Sequence, residues 1–396
     1  MIKKLRRITL QHQGLATTSP FGKGPEATLR VLEQLGYIQV DSLSVVVRAH
    51  HHTLWNRVPD YQTNYLSLLV EQRRAFEYWY HAASYLPMSH YRFVLPQMSA
   101  IKRGERSYYS HVDKKYIRHV IERITVEGPL KARDFKSSTK NKTTWWNWKP
   151  AKQALETLFI QGELMISGRN GMEKIYDLRE RVLPDEVDTS EPSLSEFSEY
   201  LIGLTVQAYG FTTLNQLCHL RTGALLRQAL ETALQQMLED GSLQKLKVDG
   251  MPAVYTTQDI LESKVSRTNS RVRLLSPFDN AIIHRDRVWQ LFGFDYKLEC
   301  YTPKDKRRFG YFCLPILFQD NFVGRVDCKA HRDKNEFELI NLHVDSDTLD
   351  LEKFIPNFKK AVNRFSAFNE CRSIRVSNVF PKKAASLFKK AISTPK

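Results

Sequence analysis

The segment Gln153–Leu178 reads QALETLFIQGELMISGRNGMEKIYDL and combines a helix with a hairpin. Apolar residues recur at helical spacing up to Gly162, and a glycine at this point is typical of a helix that ends in the left-handed conformation. Branched and aromatic residues follow on both sides of Asn170-Gly171, which is the strongest short signal for a two-residue hairpin turn. The segment therefore predicts a helix that leads directly into a two-stranded hairpin.

The same arrangement recurs 79 residues later. The pattern Gly-x7-[Asn/Asp]-Gly-x4-Tyr holds from Gly162 to Tyr176 and again from Gly241 to Tyr255, and the pentapeptide QALET precedes each copy. A helix followed by a hairpin is the second half of a winged helix, a nucleic-acid-binding form of helix-turn-helix. We predict at least two winged helices in tandem. Fold does not determine function, so the alternative is that the two units are helix-hairpin spacers that bind no ligand.

The region before the first copy supplies the other half of such a unit. From Val112 to Ile124 the apolar positions recur at helical spacing, Gly128-Pro129 breaks that helix, and Leu130–Phe135 is predicted to begin another. The two helices and the hairpin together predict a complete winged unit.

Basic residues are concentrated on this unit. The chain has a net charge of +16, and residues 101–152 hold 14 Lys or Arg against 5 Asp or Glu. Such an excess attracts polyanions over a long range. Basic residues including Lys136 lie near Trp145, Trp146 and Trp148, and the predicted DNA contacts among them are Lys131, Arg133, Lys140, Lys142 and Lys149. Basic residues beside aromatic ones suit phosphate contact and base stacking, although we expect at least two of the tryptophans to pack under the hairpin instead.

Composition divides the chain into regions. Residues 184–192 are acidic and bracketed by prolines, as in an interdomain linker. Beyond Lys264 short β-rich runs such as Val288–Phe294, Tyr311–Leu317 and Phe322–Asp327 predict a small barrel or sandwich. Residues 372–396 carry seven Lys or Arg and no acid, and we expect them to form a mobile basic tail. The predicted domains are 1–110, 111–184, 192–263 and 264–396.

Composition also argues against several classes of protein. A chain of 396 residues exceeds what one core usually spans, and it contains no run of about 18 apolar residues that would cross a bilayer. The basic start, MIKKLRR, lacks the apolar stretch of a secretory signal, so we expect a cytoplasmic protein. The five cysteines form no Cys-x2-Cys pair and are expected to be reduced and buried. We expect no cofactor, no metal and no membrane partner.

The chemistry is predicted to lie in the first region. After the helix stop at Gly36, Gln39 and Asp41 alternate with apolar residues, so in an extended strand their side chains share one face, roughly 6 to 7 Å apart. Taken alone, two polar residues on a strand edge are usually just solvated. Downstream lies a cationic and aromatic cluster that we predict to approach the DNA backbone and bases: Arg48, His51, His52, Trp55 and Arg57. Trp55 is equally compatible with a core position, and the His50–His52 run does not have the spacing of a metal site.

The run QVDSLSVVVR at 39–48, followed by His51-His52 and then Trp55 and Arg57, resembles the AlkZ-like bacterial DNA glycosylases, in the branch called YcaQ or AlkX. Three other places agree with the resemblance: WKPAK at 148–152 with Tyr176-Asp177-Leu178, LSPFDN at 275–280, and LFGFDY at 291–296. The resemblance implies a mainly α fold with β, in which three tandem winged helices and a C-terminal β-barrel surround a basic DNA channel.

The resemblance also implies an activity. Members of this branch excise N7-alkylated guanine and unhook interstrand crosslinks of the nitrogen-mustard type in double-stranded DNA. Their catalytic motif, Gln-aliphatic-Asp, is present as Gln39, Val40 and Asp41. Asp41 is then the expected catalytic carboxylate and Gln39 the hydrogen-bonding partner of the water or the sugar. No lysine accompanies the motif for Schiff-base chemistry, so a monofunctional, monomeric glycosylase that leaves an abasic site is expected.

Two other functions fit part of the pattern. A non-catalytic winged-helix transcription regulator would have the same tandem units and the same charge, but it would bind an operator and leave alkylated DNA intact. A nuclease is disfavoured because no paired acidic cluster for two metal ions is evident.

Overall fold

The computed structural model describes residues 1–105, 112–135, 145–221, 223–265, 269–345, 347 and 349–393, without the side chains of residues 145–149. Within these residues the chain forms α-helices and four β-sheets. None of the helices in this part of the chain is both long enough and apolar enough to span a bilayer. Lys136, Lys140 and Lys142 lie outside the described residues, as do the side chains of Lys149 and the three neighbouring tryptophans.

The first region is a mixture of helices and one three-stranded sheet. Its elements are α1 (Ile2–His12), α2 (Gly24–Leu35), β1 (Ile38–Gln39), α3 (Ala49–Trp55), α4 (Thr63–Glu71), β2 (Ala75–Trp79), β3 (Ala83–Pro87) and α5 (Leu95–Lys102). The sheet has the order β1-β3-β2. Gly36 ends α2 at φ 78°, and its N–H donates to the carbonyl of Leu32 at 2.8 Å. This left-handed residue turns the chain out of the helix and directly into β1.

The second region contains the first copy of the repeat. Its elements are α6 (Lys114–Glu127), β4 (Leu130–Lys131), α7 (Trp145–Ile160), β5 (Leu164–Asn170), β6 (Glu173–Leu178) and α8 (Arg179–Val182). The hairpin of β5 and β6 is present as predicted, and β4 adds to it in the order β4-β6-β5. The helix predicted at Leu130–Phe135 is instead the strand β4 followed by one 3-10 turn, Ala132–Phe135. Leu130 and Phe135, the first and last residues of this run, are buried, whereas the four residues between them are half-buried or exposed. A run of this length is too short to present the apolar face of a helix.

The third region contains the second copy. Its elements are α9 (Leu194–Tyr209), α10 (Leu214–Leu217), α11 (Ala224–Glu239), β7 (Gln244–Leu246), β8 (Val254–Thr256) and α12 (Gln258–Glu262). The predicted helix is again present, and β7 and β8 pair antiparallel as a hairpin, but residues 247–253 join the two strands, so Asp249-Gly250 lies within a longer loop and is not by itself the turn. Helix α9 begins with a capping box in which Ser193 and Glu196 exchange side-chain and backbone hydrogen bonds.

The C-terminal region is built on a five-stranded sheet. Its elements are β9 (Val272–Leu274), α13 (Asn280–Ile283), α14 (Arg285–Phe292), β10 (Cys313–Phe318), β11 (Asn321–His331), β12 (Glu336–Val344), α15 (Leu351–Phe368), β13 (Ser373–Phe380) and α16 (Ala385–Ile392). The strand order is β13-β12-β11-β10-β9, and β13 runs parallel to β12.

The predicted C-terminal barrel is therefore corrected to an open sheet, with β9 and β13 at opposite ends of the strand order. Helix α15 explains why the sheet need not close on itself. Phe354, Phe358 and Phe365 of α15 are fully buried and belong to the same core as the strands. A long amphipathic helix thus buries the sheet face that a barrel would have enclosed.

Two other expectations for this region were wrong. Val288–Phe294 is not a strand but the end of α14, in which Val288 and Leu291 are buried three residues apart and Gly293 ends the helix at φ 62°. The C-terminal segment is not a mobile tail, because β13 completes the sheet and Phe388 of α16 is fully buried in the core. The lysines and arginines of its described part, up to Lys390, are exposed.

The regions share their cores. One buried cluster joins α2, α3 and α4 to the C-terminal sheet and α15, and another joins β2 and β3 to α6, α7 and the hairpin of β5 and β6. The first region is consequently held on two sides. This packing fixes β1, which carries Gln39, and the segment after it, which carries Asp41.

Candidate active site

The predicted catalytic motif begins at the last residue of the short strand β1, Gln39, and continues to Asp41. Gln39 pairs with Ser84 of β3, and the N–H of Val40 donates to the carbonyl of Ala83 at 2.7 Å. Tyr37 and Ile38 are buried, whereas Gln39 and Asp41 are half-buried. The backbone of the motif is thus anchored to a sheet, and its two polar side chains remain reachable from solvent.

Gln39 is held by a histidine. Its Oε1 lies 3.0 Å from Nε2 of His81, which is in the turn between β2 and β3. Burial, together with the nearby charges of Arg221 and His219, lowers the pKa of His81 to about 3, so the ring is neutral at pH 7. A neutral ring that carries its proton on Nε2 donates to the amide oxygen of Gln39. The amide NH₂ of Gln39 then remains available to another acceptor.

Asp41 has a carboxylate with few partners. Its Oδ2 accepts the N–H of Leu43 at 3.0 Å. Burial raises the pKa of Asp41, while hydrogen bonds from the N–H groups of Leu43 and Ser42 oppose that rise. Within the described part of the chain, no lysine or arginine forms an ion pair with this carboxylate. Asp41 therefore offers a negative charge and a proton acceptor that no internal cation neutralises.

Two residues that the sequence analysis missed, Cys300 and Tyr301, feel the charge of Asp41. Burial and then the charge of Asp41 raise the pKa of the Cys300 thiol, and Asp41 also raises the pKa of Tyr301 after the larger effects of Cys300 and burial. Leu298 packs against the same core cluster as Val40 and Leu43, which flank Asp41. Nothing in the sequence near 300 has the spacing of a motif, because these residues reach the site only through tertiary folding.

Three predicted DNA contacts are buried and are corrected. Arg57 is 1% exposed and donates to both carboxylate oxygens of Asp279 at 2.8 Å. His52 is fully buried, with Nε2 2.8 Å from the carbonyl of Leu274 and its ring stacked on Phe365. Trp55 stacks on Phe368 and is 9% exposed. These side chains join α3 to the C-terminal region and cannot reach a nucleic acid in the folded protein.

Arg48 and His51 remain at the edge of the same helix. Both are half-buried, and Nδ1 of His51 lies 2.8 Å from the hydroxyl of Tyr61. Burial and the charge of Arg48 lower the pKa of His51 to about 4, so this ring is neutral at pH 7. His51 can therefore contact DNA only as a hydrogen-bonding group, whereas Arg48 carries a charge. Their contact with DNA remains a prediction.

The basic unit has two predicted contacts in the described residues. Lys131 is half-buried on β4, and Arg133 is exposed, with its Nε 3.2 Å from a carboxylate oxygen of Glu173. An exposed pair of this kind is worth about 0 to 1 kcal/mol, so a phosphate could replace Glu173 at little cost. The contacts predicted for Lys140, Lys142 and Lys149 lie outside the described side chains.

The histidine run does not converge on one point. His51 and His52 bond to different parts of the protein, Tyr61 and Leu274. Throughout the described residues, no group of three or more His, Cys, Asp or Glu side chains has an arrangement that would hold a metal ion.

Comparison with known proteins agrees with this architecture. The family model described as DNA glycosylase AlkZ-like matches residues 32–368. Among solved structures, Streptomyces sahachiroi DNA glycosylase AlkZ is similar, with a TM-score of 0.61 and 14% sequence identity over 94% of this chain and 98% of that chain. At this identity the structural similarity supports the fold, and the family match, which covers most of the chain, supports the assignment. The chain belongs to the AlkZ-like DNA glycosylase family, whose members are enzymes of DNA repair that act on DNA.

Proposed function

We propose that this protein hydrolyses the N-glycosidic bond of N7-alkylguanine in double-stranded DNA, unhooks interstrand crosslinks of the nitrogen-mustard type and leaves an abasic site. The observation that carries the proposal is the carboxylate of Asp41, which is half-buried, has no cationic partner in the described chain and lies beside Gln39. The protein acts as a monomer and without a metal, and in a bacterial cell it works in the cytoplasm, where its substrate lies.

The leaving group explains why one carboxylate suffices. Alkylation at N7 makes guanine a cation, so the base departs as a neutral molecule without an acid to protonate it. The sugar develops positive charge as the bond breaks, and the fixed negative charge of Asp41 stabilises it. Asp41 also accepts a proton from the attacking water, as the base does in inverting glycosidases. General-base catalysis of this kind contributes roughly 10²- to 10⁴-fold.

Gln39 acts on the water or the sugar through hydrogen bonds. Because Nε2 of His81 lies 3.0 Å from its Oε1, the Gln39 amide keeps its NH₂ group as a donor for the water or the sugar. We further propose that the enzyme is monofunctional, since catalysis by water needs no lysine nucleophile. Trapping a covalent enzyme-DNA complex with borohydride would contradict this assignment.

The proposed role of the fold is to bind the DNA duplex. We propose that the three helical regions, 1–110, 111–184 and 192–263, are winged helices and that they and the region 264–396 surround a basic channel. The residues proposed to contact DNA in it are Arg48, His51, Lys131, Arg133, Lys140, Lys142 and Lys149. A crosslinked base cannot rotate freely out of the duplex, so the site is proposed to work in an open groove rather than in a closed base pocket.

Release of base from two duplexes tests the proposal, one with N7-methylguanine and one with a nitrogen-mustard crosslink, both in EDTA. Asp41→Asn is expected to lose at least 100-fold in rate while its affinity for the duplex persists. Asp185→Asn is the matched control, because Asp185 is an exposed carboxylate of the linker. If Asp41→Asn excised the bases at the wild-type rate, the proposed role of Asp41 would be rejected. If the wild-type protein left both lesions intact, the proposed substrates would be rejected.

A further inference from the structure

A second basic element lies far along the chain from the first. Residues 297–311, which we call the basic loop, contain Lys297, Lys304, Lys306, Arg307 and Arg308 but only two acids, Glu299 and Asp305. All of these cations except Arg307 are exposed. None of the exposed four forms an ion pair within the residues that the structure describes. Their charge is therefore directed to solvent and open to an anionic partner.

The basic loop is held in one conformation although it contains almost no regular structure. Glu299, which is 9% exposed, accepts the N–H groups of Arg308, Phe309 and Gly310 at 3.0, 2.8 and 3.1 Å. A single buried carboxylate thus ties the start of the loop to its end. Fixing a loop before binding reduces the entropy that binding must otherwise overcome.

A second carboxylate secures the end of the loop. Asp327 of β11 accepts the N–H groups of Tyr311 and Phe312, both at 3.0 Å. Gly310 has φ 147°, and a Cβ atom at this position would collide with the Asp327 side chain. The backbone therefore approaches Asp327 as closely as only glycine allows.

Tyr301 is an exposed aromatic residue on this loop. It is 83% exposed, whereas the other tyrosines of the loop region, Tyr296 and Tyr311, are buried or half-buried. Leu298 on the same loop packs against the core cluster that also receives Val40 and Leu43, and Tyr301 lies within the electrostatic reach of Asp41. An exposed aromatic ring on a loop that also carries exposed cations is suited to a base and its phosphates.

We propose that the basic loop is a DNA-contacting element in which Lys304, Lys306 and Arg308 hold phosphates and the ring of Tyr301 stacks on a base next to the lesion. This proposal rests on the proposed function, because it places the lesion at Asp41. By stacking there, the Tyr301 ring would stabilise the distorted DNA at the damaged base pair while Asp41 acts on the sugar. The same loop contributes both an electrostatic and a stacking contact, and the two can be separated by experiment.

Binding to an uncleaved lesion tests the stacking contact. The probe is a duplex with 2′-fluoro-N7-methylguanine, in which fluorine destabilises the oxocarbenium-like sugar and slows hydrolysis. In three versions, 2-aminopurine stands opposite the lesion or on either side of it. Full-length Tyr301→Ala and Tyr301→Phe are compared with wild type, and Trp289→Ala is the control because Trp289 is another exposed aromatic residue, 59% exposed, outside the loop.

For Tyr301→Ala we expect about 10-fold weaker binding, together with loss of the 2-aminopurine fluorescence change that wild type produces in at least one version. Tyr301→Phe keeps the ring and should keep both signals, and Trp289→Ala should match wild type. Thermal unfolding of the variants checks that they fold. Wild-type affinity and fluorescence for Tyr301→Ala, or equal losses for the Phe and Ala variants, would overturn the stacking contact.

Salt dependence tests the phosphate contacts. The double variant Lys304→Ser, Lys306→Ser should reduce the slope of log K against log salt by about 1 to 2, whereas Tyr301→Ala should leave that slope unchanged. An unchanged slope in the double variant would overturn the phosphate contacts. All of these measurements are repeated in the Asp41→Asn background and need no catalysis. If Asp41→Asn proved fully active, the proposed chemistry would fail while the loop results still stood.

Discussion

Nε2 of His81 lies 3.0 Å from Oε1 of Gln39, which couples the turn between β2 and β3 to the predicted catalytic strand. The low pKa of His81 keeps its ring neutral. The contact is therefore a hydrogen bond from a neutral ring N–H to the amide oxygen of Gln39, and not an interaction of a charged imidazolium with that amide. His81 is thus a positioning residue for Gln39. In the proposed mechanism this contact leaves the NH₂ group of Gln39 for the water or the sugar.

We expect His81→Ala to lower kcat about 10-fold, because losing one hydrogen bond costs roughly 1 to 2 kcal/mol of positioning. Affinity for the lesion duplex should change little, since His81 does not itself meet the substrate. Single-turnover excision and fluorescence anisotropy measure the two quantities. His81→Gln, which retains a donor, should recover part of the rate, and a purely structural role would instead lower thermal stability without this recovery.

The ion pair of Arg57 with Asp279 is expected to stabilise the fold and not to bind DNA. Both side chains are fully buried, so Arg57→Met leaves an unpaired carboxylate and should destabilise the protein by about 3 to 5 kcal/mol. Urea unfolding measures this loss. The exposed Arg133→Met is the matched control and should change stability by less than about 1 kcal/mol. A stable Arg57→Met protein with weakened DNA binding would contradict the buried assignment.

Activity should fall at low pH through Asp41. This group must be ionised to act, and burial raises its pKa above the ordinary value of 3.8. The rate of excision should therefore be constant near pH 7 and decline as pH falls through this raised pKa, with one proton taken up. Single-turnover rates between pH 4.5 and 8 test the prediction, with spontaneous depurination subtracted. A decline that persisted unchanged in the residual activity of Asp41→Asn would assign it to another group.

Stability should also fall with pH, for a separate reason. Burial lowers the pKa of His51, His52 and His90 to about 4 and that of His81 to about 3. Between about pH 6.5 and these values the unfolded chain binds protons that the folded chain excludes, so the free energy of unfolding decreases as pH falls. For a fully buried ring such as His52, the resulting decrease in the free energy of unfolding is on the order of 3 kcal/mol. Urea unfolding at pH 7 and pH 4.5 measures the change, and equal stability at the two values would contradict it.

Glu299→Gln is expected to loosen the basic loop without unfolding the protein. Burial acts to raise the pKa of Glu299, but the three N–H donors outweigh it and lower the pKa, so the carboxylate is ionised at neutral pH. The amide of glutamine is a weaker acceptor and places an NH₂ group against backbone donors. Trypsin should cleave at Lys304–Arg308 faster in this variant than in the control Glu71→Gln, which alters an exposed residue. Equal cleavage rates would show that Glu299 does not hold the loop.

Local sequence patterns were sufficient for the repeat. Gly162 and Gly241 both follow helices and both adopt left-handed φ, 74° and 79°, and hairpins follow each of them. A glycine stop and an Asn-Gly or Asp-Gly turn act through their own backbone, so they need no distant partner. The family resemblance was likewise carried by short runs and agrees with the family match over residues 32–368.

Sequence patterns whose outcome depends on distant partners gave wrong predictions. Arg57 and His52 look like DNA-binding residues in a basic, aromatic run, but Asp279 and Leu274, more than 200 residues away, receive them in the core. The alternation that predicted a barrel did not reveal that α15 would cover the sheet.

By itself, the amino-acid sequence determined the helix ends at glycine, the presence of the two hairpins, the basic character and the position of Gln39 and Asp41 after a helix stop, since all of these follow from neighbouring residues. Only the tertiary structure decided which polar side chains are buried, that His81 contacts Gln39, and that the charge of Asp41 reaches Cys300 and Tyr301. The physical reason is that burial and electrostatic neighbours depend on the packing of segments far apart in the chain, and no local preference encodes that packing.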